Sequence, residues 1–325
     1  MKSRLNFVFL VSVALFCVGL TVQAQDLGPG FTKVKDGIYV FAPDATTTTC
    51  SFVVTQEGVV MIDSCNSPLH SRNMLAAIKK VTDKPIVFLI DTEIHSDHTG
   101  NHFIFSPPAT IVNHAGAGAG MRKEYDPKRA ETLAAKSAEM REALKGEKMI
   151  VPHIEYRDRM TINLGERIFE LIYLKNVHSE ADTAIWLPKE RVLFASSAAN
   201  VRRFINLRPT VAIPDVLASF KVMKSLNPEV VVTSHGPVTT TKVFDEYEAF
   251  YTLLLKRVGD MAAQGKSLEE IKKELKMPEY ADWHDQNRLG QYRCGLQVGK
   301  NKLMIANRKI ACINRGQTIA RCSCR

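Results

Sequence analysis

The order of hydrophobic and polar residues along the chain predicts two strand-rich halves, each followed by helices. Short alternating or continuous apolar runs predict strands, and apolar residues three or four positions apart predict helices. The predicted strands are residues 32–42, 51–55, 59–63, 85–90, 160–164, 167–173, 183–187, 192–195 and 230–233. The predicted helices are residues 68–81, 214–226, 243–263 and 267–275. Strands alternating with helices in this way are typical of an α/β fold.

One pair of these strands is expected to form a hairpin that brings two cysteines close together. Residues 56–58 (QEG) separate the β-branched runs 51–55 and 59–63 and supply the turn. If the turn is centred near residues 57–58, positions whose numbers sum to about 115 face each other. Cys50 and Cys65 satisfy that sum, so either a cross-strand disulfide or two buried thiols is expected.

Residues 115–150 differ in pattern from the segments around them. Gly116, Gly118 and Gly120 predict a flexible turn, and the charged segment 126–148 that follows predicts helix. We interpret the segment as a helical insertion over one face of the domain. Either a lid or an ordinary solvated surface helix fits this pattern.

Composition and charge argue against a disordered chain and against a nucleic-acid-binding protein. Hydrophobic residues make up 45% of the 325 positions and charged residues 24%, values that are ordinary for a folded domain. The net charge of +9 comes entirely from Lys2, Arg4 and seven basic residues from Lys300 onward, so residues 25–299 are neutral. A neutral body lacks the basic surface that binds phosphate backbones, so no nucleic-acid partner is expected. The basic, cysteine-containing segment 291–325 is expected to be a poorly ordered tail.

The first 24 residues have the pattern of a secretory signal peptide. Lys2 and Arg4 precede an apolar run over residues 7–20, and Val22-Gln23-Ala24 is a small-x-small cleavage site. Cleavage after Ala24 would place the mature protein in the periplasm or outside the cell, and an uncleaved anchor is the alternative. No later segment is long and apolar enough for a permanent membrane span.

The segment Glu93-Ile94-His95-Ser96-Asp97-His98 places four potential metal ligands within six residues, directly after a predicted strand. It resembles the H-x-H-x-D-H motif of the metallo-β-lactamase superfamily, with Glu in the first position. Three further segments resemble motifs of the same family in the same order along the chain. They are residues 59–63 (VVMID), 178–183 (HSEADT) and 234–237 (SHGP).

The resemblance implies a four-layer αβ/βα sandwich over residues 25–290, with C-terminal helices from about residue 243. It implies two divalent metal ions at one edge of the sheets, expected to be zinc, with iron or manganese as alternatives. One ion would be held by Glu93, His95 and His178, and the other by Asp97, His98 and His235. Asp97 would also orient the attacking hydroxide and act as the catalytic residue. Residues expected to support the ligands are Asp63, Asp182 and Ser197.

Two positions depart from the pattern of the family. An aspartate that often bridges both metals follows the strand equivalent to residues 192–195, and Ser196-Ser197 stands there in this chain. A serine at this place resembles the third subclass of class B β-lactamases. The other departure is Glu93, where the family motif has histidine. Glu93 restores the negative charge that is lost with the missing aspartate, but this charge lies on one metal only. Alternatively Glu93 turns away, which leaves a weakly held first ion or a single-metal site.

Together these features predict an exported hydrolase acting on a small molecule. A dinuclear site would activate water for attack on an ester, amide, lactone, thioester or β-lactam carbonyl. The alternative is a metal-binding protein without hydrolytic activity, such as a sensor or carrier, on the same fold. Nothing in the sequence sets the oligomeric state.

Overall fold

The computed structural model of the chain describes residues 26–206, 208 and 211–288, together with three short backbone segments between residues 296 and 311. The predicted signal peptide, residues 1–24, lies outside the described residues, as does most of the predicted tail, residues 291–325. Within the described part of the chain, no helix combines the length and apolar character needed to cross a membrane.

The first half of the domain forms a seven-stranded mixed sheet whose strands lie in sequence order. The first four strands pair antiparallel, and the last four are joined by parallel pairings. The strands are β1 (Phe31–Lys35), β2 (Ile38–Phe41), β3 (Cys50–Val54), β4 (Val59–Ile62), β5 (Ile86–Ile90), β6 (Thr110–His114) and β7 (Ile154–Tyr156).

The second half forms a five-stranded sheet in the order β12-β11-β10-β9-β8. Its pairings are antiparallel, apart from the parallel pairing of β11 with β12. The strands are β8 (Arg159–Leu164), β9 (Arg167–Tyr173), β10 (Thr183–Leu187), β11 (Val192–Phe194) and β12 (Val230–Val232).

Helices lie between the strands and after them. Some of them begin at a side-chain cap: Ser67 caps the helix that starts at Pro68, and Ser267 with Glu270 forms a capping box at the helix that starts at Leu268. Three 3₁₀ turns span Ser196–Ala198, Pro278–Tyr280 and Gln286–Arg288. The α-helices are α1 (Pro68–Val81), α2 (Ser96–Thr99), α3 (His102–Phe105), α4 (Ala117–Glu124), α5 (Arg129–Ala134), α6 (Ala138–Ala143), α7 (Ile213–Ser225), α8 (Lys242–Ala263) and α9 (Leu268–Glu274).

Three hydrophobic clusters define four layers. The central cluster joins the inner faces of both sheets and contains Val60 and Ile62 of the first sheet and Leu171 and Ile185 of the second. A second cluster packs α1 and α3 against the outer face of the first sheet. A third packs α7, α8 and α9 against the outer face of the second sheet. The predicted four-layer αβ/βα sandwich is therefore the architecture of the domain.

Two local predictions at the start of the first sheet are wrong. Residues 32–42 form a hairpin of β1 and β2 rather than one strand, because Asp36-Gly37 makes a turn in which Gly37 has φ +69°. The β3–β4 register sums to 113 rather than 115, since Phe52 pairs with Met61 and Val53 with Val60. The Thr55 hydroxyl accepts the amides of residues 57 and 58, which shifts the turn by one residue.

The insertion at residues 115–150 is helical, but the glycine-rich stretch within it is not a flexible turn. Gly118 and Gly120 lie inside α4, whose buried Ala117 and Met121 pack against Ile94 and Ala181. A Cβ at Gly120 would lie 2.6 Å from the Cδ1 atom of Ile94, so glycine allows this close approach. Within the segment predicted as an irregular tail, three strands pair antiparallel: β13 (Leu296–Gly299), β14 (Lys302–Ile305) and β15 (Arg308–Ala311).

Candidate metal centre

The predicted ligands lie at one edge of the two sheets, on loops that follow or precede core strands. Residues 93–98 follow β5, His178 lies between β9 and β10, and His235 follows β12. The carboxyl ends of the parallel strands of each sheet open toward this edge, which is where open α/β sheets usually bind ligands. A cavity of about 340 Å³ lies there and is lined by the ligand residues Glu93, His95, Asp97, His178 and His235, among others.

The structure brings the six predicted ligands together as two groups of three. In one group, ligand atoms of Glu93, His95 and His178 lie within 4.8 Å of one another. In the other, ligand atoms of Asp97, His98 and His235 do so. Ser96 begins α2, so Asp97 and His98 lie on the single turn of this helix.

Two histidine rings of the second group are fixed so that Nε2 faces the site. Nδ1 of His98 lies 3.0 Å from Oδ2 of Asp63, and Nδ1 of His235 lies 3.0 Å from the carbonyl oxygen of Thr46. A ring that donates from Nδ1 keeps the lone pair of Nε2 for a metal. Nε2 of His98 is buried and has no hydrogen-bond partner among the described residues. The donor set therefore fits a metal ion.

Asp63 makes three contacts beside the second group. Its carboxylate accepts bonds from the backbone N–H and the hydroxyl of Thr92, at 2.7 Å each, in addition to its contact with His98. Asp63 has φ +57°, a left-handed conformation that aspartate tolerates better than most residues. This conformation turns the carboxylate away from the strand direction of β4 and toward His98.

Glu93 does not turn away; it lies buried between the two groups. Its Oε2 atom contacts Nδ1 of His95 and lies 3.6 Å from Nε2 of His178. Its Oε1 atom lies 2.8 Å from Nε2 of His98, a member of the other group. Ser197 donates a 2.9 Å hydrogen bond to the same Oε1 atom.

The electrostatics of the groups favour a cation. Burial opposes ionisation of Glu93, but His95, His98 and His178 lower its pKa well below the usual value. Burial opposes protonation of His98, but Glu93, Asp63 and Asp97 raise its pKa well above the usual value. Without a metal, a proton on His98 therefore neutralises the carboxylates, and a bound ion would displace it.

His178 and His235 are neutral, which is the protonation state that metal ligation requires. Burial lowers the pKa of His178 to about 4. Burial, together with the positive charges of His98 and Arg203, lowers the pKa of His235 to about 3. Neutral imidazole is the form that binds metals, so neither ring must lose a proton near neutral pH.

Asp97 is the most exposed carboxylate of the site. Its Oδ2 atom accepts a 2.6 Å hydrogen bond from the hydroxyl of Thr48 and lies 3.7 Å from Nε2 of both His98 and His235. Burial opposes ionisation of Asp97, but His98, His235 and the Thr48 hydroxyl lower its pKa. Asp97 is therefore an ionised carboxylate at the cavity wall and can hold a water molecule and accept its proton.

Asp182 and Ser197, which were also expected to support the ligands, make different kinds of contact. Asp182 does not touch the imidazole of His178; its Oδ2 atom accepts the backbone N–H groups of Val177, His178 and Ser179 at 2.6–2.9 Å. It therefore shapes the loop that carries His178 rather than fixing the histidine tautomer. Burial and the charge of Glu93 raise the pKa of Asp182 to about 7. Ser197 holds Glu93 and shares a 2.6 Å hydrogen bond with Ser234.

Sequence reasoning missed several residues that hold the ligands. Thr48 fixes Asp97, and Asn113 donates to the backbone carbonyl of Glu93 at 3.0 Å. Asn200 accepts the backbone N–H of His235 at 3.0 Å. Glu124, on α4, lies 3.4 Å from Nε2 of His95. No local pattern marks these residues, because each contact joins segments that are distant along the chain.

Cys50 and Cys65 are joined in a buried disulfide with a Cα–Cα distance of 5.0 Å. In the observed register, position 63 would face Cys50, so Cys65 lies two residues past the cross-strand position. Its backbone has φ +65°, which turns the chain back toward β3. The bond ties the start of β3 to the loop after β4, directly beside Asp63.

Comparison with known proteins places this site in context. The sequence model of the Metallo-beta-lactamase superfamily matches residues 43–235, a span that contains all six residues of the two groups. The chain is 25% identical over 188 residues to the metallo-beta-lactamase type 2 of Elizabethkingia meningoseptica. That alignment covers 56% of this chain and 67% of the relative.

Solved structures of low sequence identity share the fold. A metallo-beta-lactamase from Pontibacter korlensis is 18% identical, with a TM-score of 0.51 over 66% of this chain and 94% of that chain. The inverting sec-alkylsulfatase Pisa1 from Pseudomonas sp. is 15% identical, with a TM-score of 0.60 over 77% of this chain and 45% of that one. At such identities the likeness establishes the fold alone, and the chemistry must be argued from the site.

Proposed function

Because the chain belongs to the metallo-β-lactamase superfamily, which includes metal-dependent hydrolases, we propose that it is an exported hydrolase with a dinuclear metal site. The observation that carries the proposal is the convergence of two complete ligand groups on one open cavity. Three protein ligands per ion leave room for water or substrate, as in catalytic zinc sites. Zinc is the first candidate, and iron and manganese are the alternatives.

The residues of the site would have different roles in hydrolysis. When bound, the ions would polarise a carbonyl group and lower the pKa of a water molecule. Asp97 lies at the cavity wall, held by Thr48, and would orient the attacking water and take its proton. Asp63 and the Thr46 carbonyl keep His98 and His235 in the tautomer that ligation requires.

Arginines in the same cavity bear on the substrate. Arg203, Arg208 and Arg288 line it, Arg208 pairs with Glu124, and both Arg203 and Arg288 contact Asp285. Guanidinium groups bind carboxylates and other oxyanions in a bidentate manner. We therefore expect a small substrate in which the scissile ester, amide, lactone, thioester or β-lactam carbonyl lies near a negative charge.

The disulfide supports the proposed export. Disulfides persist in oxidising compartments and are rare in the reducing cytosol. Cys50 and Cys65 form such a bond next to the site, in agreement with the signal-peptide pattern of residues 1–24. Maturation is tested by sequencing the N-terminus of the exported protein, which should begin at Gln25.

The hydrolytic activity is tested with a substrate panel. Zinc-loaded protein is assayed on β-lactams, lactones, esters, amides and thioesters, each as an acidic and a neutral member, with and without a chelator. Turnover that the chelator abolishes and zinc restores is expected for at least one class. Two bound ions without turnover of any member would instead support the alternative, a metal-binding sensor or carrier.

Asp97→Ala is the variant that tests the assignment of the catalytic residue. It should abolish turnover while the circular dichroism spectrum stays that of the unaltered protein. The matched control is Asp83→Ala, because Asp83 is an exposed aspartate that precedes β5, at the opposite edge of the sheet. If the Asp97 variant keeps its activity within about tenfold, or ~1.4 kcal/mol of barrier, the assigned mechanism is wrong.

A further inference from the structure

Glu93 contacts both ligand groups, although the sequence motif assigns it to one. Each of its two carboxylate oxygens faces a different set of histidines. Oε2 contacts Nδ1 of His95 and lies 3.6 Å from Nε2 of His178, while Oε1 lies 2.8 Å from Nε2 of His98. The side chain is buried, so bulk water does not satisfy either oxygen.

The contact between Glu93 and His98 is not a hydrogen bond. Although 2.8 Å separates the two atoms, Nε2 of His98 has no hydrogen-bond partner among the described residues, so the bond angles are not those of a donor and acceptor. The Nδ1 atom of the same ring faces Asp63, which leaves a lone pair on Nε2 when the imidazole is neutral. A carboxylate oxygen and an imidazole nitrogen that lie this close without a hydrogen bond between them can both be ligands of one cation, once the ion has displaced the proton of His98.

The position of Ser197 supports the same interpretation. Its hydroxyl donates to the Oε1 atom that faces His98, at 2.9 Å. In the family pattern, an aspartate that bridges both metals follows the strand equivalent to β11, where this chain has Ser196-Ser197. Glu93 thus places a carboxylate oxygen next to the serine that stands where the bridging aspartate is missing.

We propose that Glu93 is a bridging ligand, with Oε2 on the ion held by His95 and His178 and Oε1 on the ion held by Asp97, His98 and His235. This inference rests on the proposed dinuclear site. Carboxylates bridge ions about 3.5–4 Å apart, the usual separation in two-metal sites. A bridge shares the negative charge of Glu93 between both ions, and the second group then has four protein ligands.

The test uses Co²⁺ as the probe and does not depend on hydrolysis. The first group is disabled by the double variant His95→Ala/His178→Ala, so one Co²⁺ ion should bind, at the second group. Its affinity is measured by competition with a chromophoric chelator, and its visible absorption spectrum reports the coordination. Glu93→Gln is then added to this background. The matched control adds Ser179→Ala instead, because Ser179 is a buried polar residue whose hydroxyl bonds to Asp182, and the ligand next to it, His178, is already removed in this background.

A bridging Glu93 should make the remaining ion sensitive to Glu93→Gln. We expect a loss of affinity of ~100-fold or more, since even residues that only orient a ligand contribute about 10–100-fold. The ligand-field bands should change as well, because a coordinating oxygen is lost. Weaker binding with an unchanged spectrum would overturn the bridge, since the charge of Glu93 would then act at a distance.

Other outcomes separate the bridge from the proposed function. Unchanged affinity and spectrum would make Glu93 a ligand of the first ion alone, leaving the dinuclear hydrolase proposal intact. If the unaltered protein binds no Co²⁺ at all, the metal centre itself is refuted together with the bridge. Because Glu93→Gln could disturb folding, Glu93→Asp serves as a second variant: it keeps the charge but has too short a side chain to span both groups. It should also weaken binding at the second group, whereas an intact affinity would contradict the bridge.

Discussion

Replacing Asp63 by asparagine should weaken binding of the ion held by Asp97, His98 and His235 by about 10–100-fold, with little change in the fold. In the metal-bound state Nε2 of His98 must carry a lone pair, so Nδ1 must carry the proton. Nδ1–H then needs an acceptor, which Oδ2 of Asp63 provides at 3.0 Å. Asparagine can place only one oxygen among the three donors that Asp63 now satisfies.

The size of the effect follows from these three contacts. The amide oxygen can still accept the backbone N–H of Thr92, and the Thr92 hydroxyl can turn to accept from the amide nitrogen. Nδ1–H of His98 then faces the amide nitrogen of asparagine, which is a donor and cannot accept its hydrogen bond. Loss of a buried hydrogen bond to a charged group costs roughly 1.5–3 kcal/mol, which corresponds to the same range of about 10–100-fold in affinity.

Asp91→Asn is a matched control, since Asp91 and His102 form a buried carboxylate–histidine pair that holds no metal group. Oδ1 of Asp91 lies 2.8 Å from Nε2 of His102, whose Nδ1 faces the carbonyl oxygen of Ile150 at 2.7 Å. Here the ring can keep its proton on Nδ1 and accept from the new amide nitrogen on Nε2, while the amide oxygen keeps the bond from Asn113, which also holds the backbone of Glu93. The same change of side chain should therefore leave ion affinity nearly unaltered.

Competition between the protein and a chromophoric chelator for zinc measures both affinities, and thermal unfolding of the metal-free variants checks the fold. We expect a large loss of zinc affinity for Asp63→Asn and a small loss for Asp91→Asn. Equal losses in the two variants would refute the reasoning, because they would show that any buried carboxylate in this region affects binding. An unaltered affinity in Asp63→Asn would refute it as well.

Three further predictions concern the disulfide, Asp44 and Arg208. Replacing both Cys50 and Cys65 by alanine should lower the free energy of unfolding by about 3 kcal/mol, because the bond closes a loop with a sequence separation of 15. Urea unfolding with and without reductant measures this, and an unchanged midpoint would contradict it. A hydrogen bond from the Thr47 hydroxyl, followed by those of neighbouring groups, lowers the pKa of Asp44. Its contribution to stability is therefore complete above the unfolded-state pKa of about 3.9 and lost at lower pH, so the difference in Tm from Asp44→Asn should shrink in acid. Arg208→Ala should raise KM for acidic substrates more than for their neutral counterparts, and an equal rise for both would exclude a charge contact.

The proximity of the six candidate ligands could be predicted because their sequence pattern is local. Four of the six lie within residues 93–98, directly after an apolar strand, and His178 and His235 lie beside strands that the apolar pattern also predicts. Spacing along the chain then fixes which edge of the sheet they share. Spacing does not fix distances across the site, so the contact between Glu93 and His98 could not be predicted.

The predicted register of the β3–β4 hairpin was wrong because a single side-chain contact decides the position of its turn. The hydroxyl of Thr55 accepts two amides in the β3–β4 turn and shifts the register by one residue on each strand. Cys65 nevertheless reaches Cys50, because its left-handed backbone turns the loop inward. The paired positions still have a constant sum, so only the centre of the turn was misplaced, because Thr55 belongs to the turn and not to β3.

The segment 115–150 shows how a surface pattern can conceal part of a site. Charged residues and glycines predicted either a lid or a solvated helix, because composition cannot say what a helix end faces. Gly120 lets α4 approach Ile94, and that approach brings Glu124 to 3.4 Å from Nε2 of His95. Arg208 holds the same carboxylate from across the cavity at 2.6 Å. Because His95 lies between Glu93 and Glu124, any shift of α4 changes the surroundings of a candidate metal ligand, so the insertion is part of the candidate site rather than a cover over it.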